Sequence, residues 1–183
     1  MVMKLDGSLA LLRAHAARPL GAHEREMVDD AIAFIAAHPD CLLRSCLTGH
    51  LTGSSWIVSR DRSKTLLVLH RKLNRWLNPG GHADGDPDLA AVALREAREE
   101  TGLASVRLLE PRLFDFDRHR IPEHKGTPEH WHYDFRFILG ADADEPLVIS
   151  EESNDLRWVE LARVTELNPA ESVARLIRKT EGR

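Results

Sequence analysis

Residues 80–103, GGHADGDPDLAAVALREAREETGL, place a glycine turn directly ahead of a helix carrying Glu96, Glu99 and Glu100 on one side. Residues three and four apart are neighbours on a helix surface, so these carboxylates crowd and repel one another. A cation among them relieves that repulsion. Gly80 and Gly81 let backbone approach a ligand closely, and an adjoining carbonyl offers a further oxygen. A hard divalent cation such as Mg²⁺ suits this donor set, because it takes oxygen ligands and keeps positions for phosphate and water. A metal-dependent phosphate enzyme is therefore the leading expectation. Spacing alone leaves open the alternative of a solvated acidic face.

Within the stretch, Asp86 is the expected N-cap and Pro87 the first helical residue, where a missing N–H costs nothing. Leu89, Val92, Ala93 and Ala97 form an apolar stripe, and Gly102 supplies the stop. Arg95 precedes Glu96 by one residue and Glu99 by four, placing it to brace the acidic cluster.

The rest of the chain narrows the class. At 183 residues, one domain with a sizeable core is expected. Hydrophobic residues at 43% with 30% charged residues argue against disorder. A net charge of −4 argues against nucleic-acid binding by bulk electrostatics. Two cysteines, Cys41 and Cys46, do not make a disulfide framework and fit a reducing compartment. The longest apolar run, Ala31 to Ala37, is too short for a membrane span. The N-terminus has one lysine, Lys4, and an apolar stretch broken by Arg13 and His15, unlike a signal peptide. A cytoplasmic location is expected.

Leu5, Leu9 and Leu12, then Met27, Val28, Ala31, Ile32 and Ile35, recur at helical spacing on either side of Pro19-Leu20-Gly21. His38-Pro39-Asp40 ends the second helix. Residues 54–59 and 65–70 read as strands joined by the turn Arg60 to Lys64. Val106 to Phe116 reads as one strand and Arg118 to Glu129 as a loop. Alternation of Trp131, Tyr133, Phe135, Phe137 and Leu139 with His132, Asp134 and Arg136 predicts a half-buried strand. A short strand over Leu156 to Val159 and a helix over Ala170 to Lys179 close the chain. The expected organisation is a helical extension at 1–40 and an α/β domain at 41–183.

The stretch opening at Gly81 resembles the Nudix box, G-x5-E-x7-R-E-U-x-E-E-x-G-U with U apolar. Arg95-Glu96-Ala97-Arg98-Glu99-Glu100-Thr101-Gly102-Leu103 matches its second half at every defined position. Pro87 stands where the pattern has its first glutamate, which puts the bracing of Arg95 in doubt more than the metal site. Gly49-His50-Leu51-Thr52, His70-Arg71-Lys72-Leu73, Trp76 to His82, Pro128-Glu129-His130, His132-Tyr133-Asp134 and Glu151-Glu152 resemble a bacterial subgroup of the family. The resemblance implies an α/β/α sandwich around a mixed sheet. It also implies Mg²⁺- or Mn²⁺-dependent hydrolysis of a small-molecule nucleoside diphosphate derivative. Glu96, Glu99, Glu100 and the Gly80 carbonyl would then be the metal ligands, with Glu99, Glu100 and Arg95 serving catalysis.

In many family members a general base lies on a loop well after the box, which makes Glu152 the candidate and Glu151 the next. The alternative for both is a surface position at a strand start. Arg71, Lys72 and Arg75, ahead of the glycine turn, are candidates for phosphate recognition or for a solubilising hairpin. Trp76 is a candidate for base stacking or for core packing. Among ten histidines, His119, His124, His130 and His132 fall close together, which raises a zinc site. No compact His/Cys spacing accompanies them, so His130 and His132 are expected to border the substrate pocket instead. A non-catalytic nucleotide-binding or regulatory module on the same fold is the competing class, and diphosphate isomerase chemistry a third. The N-terminal helices are candidates for closing the pocket or for a homodimer interface.

Overall fold

The computed structural model describes residues 5–124 and 126–182; Lys4 lies outside them. Helices α1 (Asp6–Ala16) and α2 (Ala22–Ala37) lead into the strands β1 (Gly49–Val58), β2 (Lys64–His70), β3 (Arg75–Leu77) and β4 (Gly80–His82). Helix α3 (Leu89–Thr101) follows, then β5 (Arg107–Leu108), β6 (Asp115–Ile121), β7 (His130–Gly140) and β8 (Ser153–Glu160). Helices α4 (Val164–Leu167) and α5 (Glu171–Glu181) end the chain. The strands form one mixed sheet centred on a parallel β1–β7 pair, from Gly49 opposite Trp131 to Val58 opposite Gly140. The other ladders are antiparallel: β2 and β4 on β1, β3 and β8 on β2, β5 and β6 on β7.

Strand side chains alternate between faces, and two cores result. On one face Leu51, Ile57, Tyr133, Phe135, Phe137 and Leu139 pack against Leu12, Met27, Val28, Ala31 and Ile35 of the N-terminal helices and Leu89, Val92, Ala93 and Ala97 of α3. On the other, Trp56, Val58, Leu67 and Ile138 pack against Val164, Val173, Leu176 and Ile177. The result is the α/β/α sandwich that the resemblance implied. Gly53 allows α3 to lie this close, because a Cβ there would stand 2.6 Å from the Leu89 carbonyl oxygen. Cys41 and Cys46 are both buried free thiols.

Four local expectations are corrected. The run Val106 to Phe116 is not one strand. Leu108 pairs with Leu139 and Asp115 with Arg136, so seven residues advance while β7 retreats by only three, and the surplus loops out around Pro111. Arg118 to Ile121, expected in a loop, extend β6. Arg118 and Arg120 lie 4.5 and 4.7 Å over the Trp131 ring, and that cation–π stacking favours the extended backbone. Helix α3 is capped by Asp88, whose side chain accepts from the Ala91 N–H at 3.0 Å. Asp86 instead accepts from the Asp88 N–H at 2.9 Å, so Pro87 sits in the turn before the helix.

The fourth correction concerns β7, which is buried on both faces. Arg136 donates from Nε to Asp134 at 2.8 Å and approaches Asp115 and Asp117 at 3.3 and 3.1 Å. Arg175 of α5 adds bonds to Asp115 at 2.7 Å and Asp117 at 3.1 Å. Thr52 and Ser54 of β1 donate to Asp134 at 2.8 and 2.6 Å. Charged residues can be buried this way only because each charge finds several opposite partners.

Candidate active site

Strand β4 and helix α3 build the site together. Gly81 faces α3, and a Cβ there would lie 2.4 Å from the Glu96 carboxyl carbon. Gly80 donates its N–H to Glu100 Oε1 at 2.9 Å, while a Cβ on it would strike Ser54. Both glycines are therefore required by close approach, one to a carboxylate and one to the neighbouring strand. Helix α3 presents Glu96, Glu99 and Glu100 from one side of its buried stripe, and Gly102, in the left-handed region at φ 72°, ends it.

Electrostatics gives Glu96 and Glu100 a shared character. Burial, together with the charges of Glu96, Glu152 and Glu99, pushes the Glu100 carboxyl up to about 7 against the pull of the Gly80 N–H. Burial also raises Glu96, opposed by Arg95 and reinforced by Glu99 and Glu152. Glu152 thus lies within electrostatic reach of the box glutamates, although it is 52 residues from Glu100 in sequence. It immediately precedes β8, and its carbonyl accepts from the Arg71 N–H at 2.8 Å. A set of carboxylate oxygens crowded beside an open glycine backbone fits a hard divalent cation, whose charge offsets the repulsion.

Arg95 sits 3.2 Å from Glu96 and 3.7 Å from Asp86, so an aspartate one residue before Pro87 faces the box arginine. Arg71 bonds Asn154 and the Ser153 carbonyl, both at 3.3 Å, alongside Glu152. Arg75 stands exposed at the start of β3, its side chain with no hydrogen bond or ion pair among the described residues. Trp76 packs on the second core, with Arg157 stacked 4.9 Å over its ring. Arg44, which sequence reading passed over, forms a two-pronged pair with Asp84 at 2.6 and 2.7 Å and senses the charges of Glu96 and Glu152.

His130 and His132 gather on the opposite face of the sheet from Gly81. There they meet His50 of β1 and His82 of β4, with ring centroids 4.8–5.3 Å apart. His119 of β6 approaches His132 at 5.5 Å, whereas His124 stands outside the group in a bridge to Thr127. Burial and the neighbouring imidazoles bring His132 down to about 2. Sequence proximity picked out His130 and His132 but missed His50 and His82. Those two stood only within the segments Gly49-His50-Leu51-Thr52 and Trp76 to His82 that carry the family resemblance, each next to a glycine.

The chain is similar to known proteins in sequence and in fold. The NUDIX domain family model matches residues 50–179. An RNA pyrophosphohydrolase of Acidiphilium cryptum (strain JF-5) is 35% identical over 103 residues, 51% of this chain and 62% of that protein. The match thus spans less than two thirds of that relative's length. Among solved structures, an Ap4A hydrolase of C. elegans in a binary complex superposes with a TM-score of 0.59 at 19% identity, over 72% of this chain and 95% of that one. A NUDIX-family hydrolase of Clostridium perfringens gives 0.53 at 25% identity, over 72% and 96%. The family model runs from the first residues of β1 through the glycine turn and acidic helix into α5, well over half of the chain, and the protein therefore belongs to the NUDIX family.

Proposed function

We propose that the protein hydrolyses a pyrophosphate bond in a small nucleoside diphosphate derivative, ADP-ribose-like or NTP-like, with Mg²⁺ or Mn²⁺. The observation that supports this reading is the packing of Glu96 and Glu100 against Gly81 and Gly80, with Glu99 beside them and Glu152 in electrostatic reach. Glu96, Glu99, Glu100 and the Gly80 carbonyl would hold the cation. When bound, it neutralises diphosphate charge and lowers the pKa of water. Glu152 is assigned as proton acceptor for the attacking water, Arg95 holds Glu96 in place, and Arg71 meets phosphate oxygens. Most of the rate enhancement then comes from positioning and fixed charge.

The test is a panel of ADP-sugars, NADH, dinucleoside polyphosphates and nucleoside triphosphates, each incubated with and without Mg²⁺ and Mn²⁺. Metal-dependent release of a nucleoside monophosphate, or of phosphate or pyrophosphate, is expected from at least one. Tight binding without turnover across the panel would point instead to a regulatory nucleotide-binding module.

Gly81→Ala probes the cradle separately from the fold. Its new methyl group meets the flexible end of Glu96, so the fold absorbs it while the carboxylate is displaced. The melting midpoint should move by only about 2–4 °C, equivalent to roughly 1 kcal/mol. Activity should fall about 10–100-fold, the usual scale for disturbing the support of a metal site. Unchanged turnover would show that Glu96 is not held where the reaction needs it.

A further inference from the structure

We propose that His50, His130 and His132 form a second metal site, for a borderline transition ion such as Zn²⁺, separate from the carboxylate site. The backbone places them together: His50 lies opposite His132 in the parallel β1–β7 ladder, and His130 precedes His132 by two residues on the same face. One ring nitrogen from each lies within 4.8 Å of the other two, and among the described residues no other three His, Cys, Asp or Glu side chains converge in this way.

One pair of ring nitrogens already stands at the spacing a shared metal would need. His50 Nε2 and His132 Nε2 are 3.1 Å apart. Two nitrogens on one tetrahedral zinc, at about 2.0–2.1 Å each, would be separated by about 3.3 Å. Backbone carbonyls orient two of the three rings. His130 Nδ1 faces the Pro128 carbonyl at 2.8 Å and His50 Nδ1 faces the Cys46 carbonyl at 3.5 Å. A carbonyl only accepts, so both Nδ1 atoms carry the proton and both Nε2 atoms present lone pairs. Anchoring the far nitrogen on a backbone carbonyl is how metal-binding histidines are usually oriented.

Ligand chemistry separates this site from the first. Imidazoles packed at these distances cannot all be protonated, so the group is a poor receptor for phosphate and a good source of lone pairs. Nitrogen donors favour zinc, copper, nickel or cobalt, whereas carboxylate and carbonyl oxygens favour Mg²⁺ and Mn²⁺. The ring of His82 lies 4.9 Å from His50 and 4.8 Å from His132, bordering the fourth side. His82 is also the residue after Gly81, so β4 carries one site on each face.

The experiment uses the full chain, stripped with a chelator and then titrated with Zn²⁺ by calorimetry. A parallel titration with Co²⁺ follows the visible absorption of a tetrahedral ion. One equivalent is expected, with binding retained at saturating Mg²⁺ and in a Glu96→Gln/Glu99→Gln/Glu100→Gln variant. His132→Gln should weaken Zn²⁺ at least about 100-fold. Zinc at a hundred times its dissociation constant should raise the wild-type melting midpoint by about 5–10 °C. His130→Gln, at the strand end, serves the same purpose if His132→Gln does not fold. Absence of a bound equivalent, an octahedral Co²⁺ spectrum, or binding lost with the glutamates and kept without the histidines would overturn the proposal. These outcomes are independent of whether any pyrophosphate is hydrolysed.

Discussion

Glu99→Gln is expected to lower the turnover number on the order of 10²–10³-fold, the scale seen when one preorganised electrostatic group is removed from a reacting centre. The substitution is close to isosteric and removes only the charge. Glu99 is exposed on α3 and its side chain makes no hydrogen bond or ion pair among the described residues, so the fold should tolerate the change. Kinetics across a range of Mg²⁺ concentrations on the best substrate of the panel, beside circular dichroism, make the test. A folded variant with wild-type turnover and metal dependence would remove Glu99 from the metal set. Glu152→Gln, assayed in parallel, asks whether a residue outside the box shares the work, since its charge acts on Glu96 and Glu100.

Arg136→Met should be the most damaging substitution for stability, costing about 3–5 kcal/mol and roughly 6–20 °C in melting midpoint. Its guanidinium is buried among Asp134, Asp115 and Asp117, and methionine fills its volume without its charge. Arg175 still reaches Asp115 and Asp117, and Thr52 and Ser54 still reach Asp134, yet the excess negative charge stays buried. The effect should depend on pH. Burial alone would raise the Asp117 carboxyl, but Arg136, His119 and Arg175 outweigh it and hold it well below the usual carboxylate range. A depressed folded-state pKa contributes stability above the unfolded value of 3.8 and loses it as pH falls through the folded value. The gap between wild type and variant should therefore be full near neutrality and narrow below about pH 4. A gap independent of pH would show that packing, not charge pairing, is what Arg136 supplies.

Both experiments concern residues whose neighbours came to light in different ways. Helix α3 was legible because everything that makes it lies within one short stretch. Its apolar stripe repeats at helical period, Gly102 ends it, and the glutamates share a side by spacing alone. The start was misplaced by two residues, because Asp86 and Asp88 are both good caps and only the local turn decides between them. Strand β7 was legible as a strand but not in its burial. Its Arg136 looked solvent-facing because Asp115 and Asp117, which neutralise it, are 21 and 19 residues away along the chain. Arg118 to Ile121 looked like loop because a charged stretch gives no sign of the Trp131 ring that its arginines cover.

The histidines mark the same boundary. Clustering in sequence drew attention to His119, His124, His130 and His132, yet His124 falls outside the spatial group and His50 and His82 fall within it. Strand register decided this, since pairing β1 in parallel with β7 sets His50 against His132 across 82 residues. The sequence by itself determined the acidic helix, the glycine turn and the family, because those depend on local periodicity and on spacing within one turn. Only the tertiary structure decided which charges are neutralised and which imidazoles meet. Such groups act through space over a few ångströms, and the distances between them are set by sheet pairing rather than by position along the chain.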